Sequence, residues 1–201
     1  MKTPISKNNQ IKNLHKIIPL LHDLEYFIML GTLLGYARDN AIIENDDDID
    51  FYVNKKDKPL FLERLENNTY FDFNENVFPN HTPHFIQLTK DYEDEHTRVD
   101  LTFYELNDKF LIDVFSFNSN EEFQRLREKN LTDERLDLHI PKELIFPLDK
   151  KNFENIKVKV PSRVLQTVEF LFGPRWREPL IKGVDYSEKI VNNSPLIRYM
   201  E

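Results

Sequence analysis

GTLLGYARDNAIIENDDDIDFYV, residues 31–53, places five carboxylates (Glu44, Asp46, Asp47, Asp48 and Asp50) within seven residues and runs straight into the strand formers Ile49, Phe51, Tyr52 and Val53. In a strand, Asp46, Asp48 and Asp50 point to one face, with neighbours ~6.6 Å apart along it. Two like charges at that spacing repel by roughly 2.5 kcal/mol at an effective dielectric of ~20, and by well under ~1 kcal/mol in water. A solvated loop tolerates the run. A half-buried strand end calls for a cation, and the apolar alternation that follows favours that setting. A bound divalent metal is the expectation.

Working outward, residues 26–30 form a compact apolar run suited to a buried strand. Gly31-Thr32 opens a short helix that ends near Asp39-Asn40. The order is then strand, Gly-Thr, helix, loop, and a strand carrying Asp48-Ile49-Asp50. Gly31 lets backbone approach a phosphate, the helix N-terminus offers N–H groups and a favourable dipole, and Thr32 adds a hydroxyl. Asp48 and Asp50 on one strand face suit a divalent cation bridging a diphosphate. An EF-hand does not fit, because the sixth loop position is Phe51 and the twelfth is Asp57. The competing reading is an acidic surface turn.

A third carboxylate must come from another strand. Asp100, between Val99 and Leu101, is the first candidate, and Asp113, between Ile112 and Val114, competes on the same ground: a lone acid in an apolar strand is costly without a task. Arg38, at the end of the Gly-Thr helix, either contacts substrate phosphate or forms a surface salt bridge. His81 and His84 read as structural or solvated, and Trp176 as core.

The rest of the chain reads as α+β. Ile11, Leu14, Ile17, Ile18, Leu21 and Leu24 recur at helical spacing over residues 7–24, with Pro19 expected to break or kink that helix. A helix is expected over 58–66, and strands over 71–73, 84–89, 98–106 and 109–115, the last two joined by a tight turn at Asn107-Asp108. Weak helical signals occupy 121–128. Ile156, Val158 and Val160 alternate as a strand, Pro161-Ser162 begins a helix, Gly173-Pro174 stops it, and the tail from Asn192 reads as loose.

Composition narrows the function. Of 201 residues, 40% are hydrophobic, including 16 Phe and 8 Tyr, enough for a substantial core. A net charge of −8 argues against a nucleic-acid partner, which would want a basic face, but leaves a nucleotide open if a metal supplies positive charge. With no cysteine, thiolate catalysis and zinc–sulfur sites are out. There is no signal-peptide pattern and no run long enough for a transmembrane segment, so a cytoplasmic location is expected, with membrane association only through partners.

These residues resemble the LicD/fukutin-type phosphotransferases, a branch of the nucleotidyltransferase fold. Residues 31–53 look like that family's signature, RVDLTFYEL (98–106) like its strand bearing a third acid, and residues 145–179 like its later segment of Phe-Pro-Leu, strand, proline, helix and aromatic-Gly end. The resemblance implies a single domain over 1–201, core about 20–182, with a nucleotidyltransferase-like mixed sheet flanked by helices. It implies a Mg2+- or Mn2+-dependent enzyme that moves an alcohol phosphate (phosphocholine, ribitol phosphate or similar) from a CDP-activated alcohol donor to a glycan or polyol-phosphate acceptor. Carried over by position, Asp48, Asp50 and Asp100 are the catalytic metal ligands, Gly31 and Thr32 face the donor phosphates, and Asp46 adds an outer contact. Acceptor recognition falls to residues 67–97 and 118–150. The alternatives are an NTP-dependent nucleotidyltransferase releasing pyrophosphate, and a non-catalytic nucleotide- or glycan-binding module. Neither the alcohol nor the oligomeric state is written in these residues.

Overall fold

The computed structural model describes residues 6–73, 84–92, 95–113 and 138–179. The expected helix at 121–128, His81, the loose tail and residues 74–83, 93–94 and 118–137 of the proposed acceptor surface lie outside the described residues. Helix α1 (Lys7–Leu21) leads into strand β1 (Tyr26–Ile28), helix α2 (Leu30–Asp39), strand β2 (Asp50–Asn54) and helix α3 (Lys58–Glu66). Strands β3 (Asp72–Phe73), β4 (Phe85–Tyr92), β5 (Glu95–Leu106), β6 (Phe110–Asp113) and β7 (Leu138–Pro141) follow. A short helix α4 (Lys142–Ile145), the hairpin β8 (Asp149–Phe153) and β9 (Ile156–Val160), and helix α5 (Val164–Phe172) complete the fold.

The class is α+β, as expected. A mixed sheet runs β1-β2-β5-β4-β3, with β6 added to β5 and β7 to β6, and β8–β9 forms a separate two-stranded sheet. The one parallel pair among the described strands is β2–β5, with Asp50 opposite Asp100 and Phe51 opposite Leu101; β4 runs antiparallel to β5 with Gln87 opposite Asp100. Because side chains alternate, Asp50, Asp100 and Gln87 form a row on one face, while Thr97, Val99 and Leu101 point to the other. Helix α1 covers that second face, with Leu14, Ile17 and Leu21 fully buried and Asn13 Nδ2 donating to Thr97 Oγ1 at 2.7 Å. Helices α2 and α5 pack together, and each buries apolar residues, Leu33 on α2 and Val168 and Leu171 on α5. Between the layers, the rings of Phe27, Tyr52 and Tyr104 meet at centroid distances of 5.6–6.4 Å.

Several boundaries differ from expectation. Pro19 stays inside α1, near its end, where a missing N–H costs only one helical bond; the helix stops at Leu21, and Leu24 is buried from the loop beyond. Strand β1 ends at Ile28 because the chain turns sharply at Leu30, whose φ of +48° costs a branched side chain about 1–2 kcal/mol and throws the chain into α2 one residue before Gly31. Strand β2 begins at Asp50 instead of Asp48, although pairing with β5 reaches further back: Arg98 N–H donates to Asp47 O and Ile49 N–H to Arg98 O, at 2.9 and 3.2 Å. Helix α5 starts at Val164, three residues after Pro161, and Gly173 ends it with φ +78°. Trp176 is buried at 5% exposure, as expected. The Asn107 turn forms, its side chain accepting from the N–H groups of Lys109 and Phe110.

Candidate metal centre

Helix α2 and strand β2 lock each other in place. Thr32 N–H donates to Asp50 Oδ2 at 3.3 Å, and Asp50 N–H donates to Thr32 Oγ1 at 2.8 Å. Met29, at the N-cap position, offers no side-chain cap, so a carboxylate from the neighbouring strand takes one of the free N–H groups and sits at the positive end of the helix dipole. Sequence reasoning reserved Thr32 for a ligand; in the structure its backbone and hydroxyl position Asp50.

Gly31 makes room. A Cβ there would lie 3.2 Å from both Asp46 Oδ2 and Asp50 Oδ2, so hydrogen at this position leaves a cradle for the two carboxylates. Gly31→Ala is expected to fold with an unchanged or slightly raised Tm, since Ala is the better helix former by up to ~1 kcal/mol. Its Mn2+ affinity should nevertheless fall at least tenfold, because the methyl displaces a carboxylate. Titration by calorimetry beside a melting curve checks both, and undiminished affinity would remove Gly31 from the site.

Asp100 arrives from β5 beside Asp50. Carboxylate oxygens of Asp48, Asp50 and Asp100 lie within 4.8 Å of one another. At that separation each ionised pair repels by at least about 3.5 kcal/mol at a dielectric of 20. The centre must therefore hold either protons or a cation. Without a cation, burial, then the charge of Asp48, pushes the Asp100 carboxyl up to about 7, with the Gln87 hydrogen bond and Arg98 pulling the other way. Burial and the charges of Asp48, Asp100 and Asp46 push Asp50 well above the ordinary carboxylate range, opposed by Thr32. Three hard oxygen donors converging beside Gly31 could hold a metal ion.

The competing acid goes elsewhere. Asp113 is fully buried and accepts the hydroxyl of Tyr52. Arg38 is also not brought to the acids: its Nε donates to Asp39 Oδ2 at 2.8 Å in the last turn of α2, roughly 9 Å along the axis from Thr32. Glu44 is exposed. Asp46 and Asp47 join Asp48 in a second acidic group, but Asp47 is held by Arg98 Nη2, which also lies 3.8 Å from Asp48 Oδ2.

Four supporting side chains escaped the sequence reading. Gln87 Nε2 donates to Asp100 Oδ1 at 3.0 Å, and Arg98 sits two residues before Asp100 on the same face. Gln10, fully buried on α1, donates to Asp46 O at 3.1 Å. Glu154, at the tip of the β8–β9 hairpin with φ +47°, accepts from Ile42 N–H at 2.9 Å and from Lys7 at 3.0 Å. The loop carrying the acids is thus held from α1 and from the hairpin. Polar residues at inward strand positions were the available signal for Gln87 and Arg98; Gln10 and Glu154 carried none, because a polar residue on a helix or at a hairpin tip is ordinary.

Compared with curated proteins, the chain finds no match. The profile of the family described as LicD/FKTN/FKRP, nucleotidyltransferase domain, matches residues 23–163, which span β1, α2, all three converging acids and the β8–β9 hairpin. On that match, extending over well more than half of its length, the chain belongs to the LicD/FKTN/FKRP family.

Proposed function

We propose that this protein is a metal-dependent phosphotransferase that moves an alcohol phosphate from a CDP-linked donor to a hydroxyl of a cell-surface glycan or its precursor, releasing CMP. Family membership suggests phosphotransferase-type chemistry on glycans in general. The observation that carries the finer reading is the convergence of Asp48, Asp50 and Asp100 beside the N-terminus of α2. A divalent ion held there would supply the positive charge that a diphosphate and its departing phosphate need. The chain's own residues do the rest. Asp50, fixed by Thr32, would hold the ion from β2, Asp48 from the segment just before that strand, and Asp100 from β5. Asp100 takes the proton of the acceptor hydroxyl as that oxygen bonds to the phosphorus carrying the alcohol and the bond from that phosphorus to the CMP oxygen breaks.

Among the described residues no helix is long and apolar enough to cross a membrane. We place the enzyme in the cytoplasm, at the membrane only through partners, as one catalytic domain. The test is a screen of CDP-choline, CDP-ribitol, CDP-glycerol and CTP with Mg2+ or Mn2+, scored by product. CMP release from one CDP-alcohol is the expected result. Pyrophosphate from CTP, with no CMP from any CDP-alcohol, would transfer the protein to the nucleotidyltransferases.

A further inference from the structure

Arg98 is a cation set among the acids, and its geometry is asymmetric. Its Nη2 is spent on Asp47, 3.8 Å from Asp48 Oδ2, and its Nε is buried without a partner. Nη1 makes no hydrogen bond among the described residues, and the side chain keeps 30% of its surface exposed. Asp47 therefore holds the guanidinium by Nη2 alone, with Asp48, a member of the converging set, 3.8 Å from that same nitrogen. With only Nη2 paired, the guanidinium has donors beyond those that Asp47 uses.

We infer that Arg98 is the residue that grips the substrate's diphosphate, its Nη1 donating to a phosphoryl oxygen next to the position governed by Asp48, with Asp47 as the positioning residue that aims it. The inference rests on the proposed reading of a nucleoside-diphosphate donor and names the cation that reading lacks. Arg38, for which the sequence left phosphate contact and a salt bridge both open, is turned to Asp39. A guanidinium suits the task because it remains charged at any working pH and meets phosphate oxygens along a fixed fork. The same contact gives Asp47 a task within the acidic run. It orients the arginine and is thereby withdrawn from coordination.

The test uses the full chain with Mn2+ and CDP as probe, together with Arg98→Ala, Arg98→Lys and Asp47→Asn. Mn2+ binding alone is read by electron paramagnetic resonance and CDP binding by calorimetry. Arg98→Ala should weaken CDP at least tenfold while Mn2+ binds as well as in wild type or better, because a competing cation has gone. Arg98→Lys, which keeps the charge and guards against a folding failure in the alanine variant, should recover part of the loss. Asp47→Asn should weaken CDP by a few-fold with Mn2+ unchanged. A merely structural arginine would instead weaken Mn2+ and CDP together. Equal CDP affinity in wild type and both Arg98 variants overturns the inference and leaves the proposed function standing. A wild type that binds Mn2+ but not CDP overturns both.

Discussion

Asp48→Asn is expected to lower turnover at least a thousandfold, about 4 kcal/mol of lost transition-state stabilisation, in a protein that still folds. The size follows from what is removed. Groups that merely orient a metal ligand cost 10–100-fold when lost, and Asp48 belongs to the converging set itself. Folding should survive because the metal-free centre is repulsive. The charge of Asp48 is one of the forces raising the proton affinity of both Asp50 and Asp100, so its removal relieves the fold as it destroys the site. The measurement is CMP release from the CDP-alcohol found active in the donor screen, beside a melting curve without metal. Asp113→Ala should behave in the opposite way. It removes the acceptor of the buried Tyr52 hydroxyl, costing about 1–3 kcal/mol of stability, and leaves Mn2+ affinity intact. Full activity in Asp48→Asn would sink the assignment of the acids.

The second large effect is in stability against pH. In the metal-free protein Asp100 binds its proton up to about pH 7, whereas in the unfolded chain it releases it near pH 4. Between those values the folded state carries more protons than the unfolded one, so stability falls as pH rises. Its contribution is fully present below about pH 4 and is lost as pH climbs through about 7. Three units correspond to about 4 kcal/mol, an upper figure for a residue that retains some exposure; on the order of 2–4 kcal/mol is roughly 5–15 °C in Tm for a chain of this size. Asp50 adds in the same direction. EDTA-treated protein should therefore melt lower at pH 8 than at pH 5. Mn2+ should add little at pH 5 and much at pH 8, where the carboxylates it needs are no longer protonated. Asp100→Asn should flatten the metal-free profile and shrink the metal response. The same Mn2+ shift at both pH values would count against a carboxylate centre.

How much of this could be read in the amino acids depended on how local the cause was. The strand, Gly-Thr helix and acid-bearing strand were legible because apolar runs, a glycine and an asparagine punctuate them within a few residues. Asn40 takes the left-handed conformation that ends α2, where the reading put the stop. Strand β8 was missed. DKKNF buries only Phe153, because its sheet has two strands and little to cover, so no alternation reaches the sequence. The turn that makes the hairpin, Glu154-Asn155 with φ +47° and +64°, has only Asn as a turn signal. At the site, carboxylates betrayed themselves by being charged in apolar company, whereas the identity of their partners did not. That Arg98 meets Asp47, and Gln87 meets Asp100, follows from strand register across a sheet, which no local pattern records.

The register between β2 and β5 also bears on folding. Asp50 and Asp100 are paired across the only parallel ladder among the described strands, fifty residues apart, so the chain must close a long loop before they meet. A slip of one residue would turn Asp100 into the apolar layer under α1 and bring Val99 or Leu101 to the acid-bearing face. Hydrophobic side chains alone penalise that error only in part. A cation rewards only the arrangement in which both carboxylates share a face, so a divalent ion present during folding would proofread the pairing as well as equip the finished site.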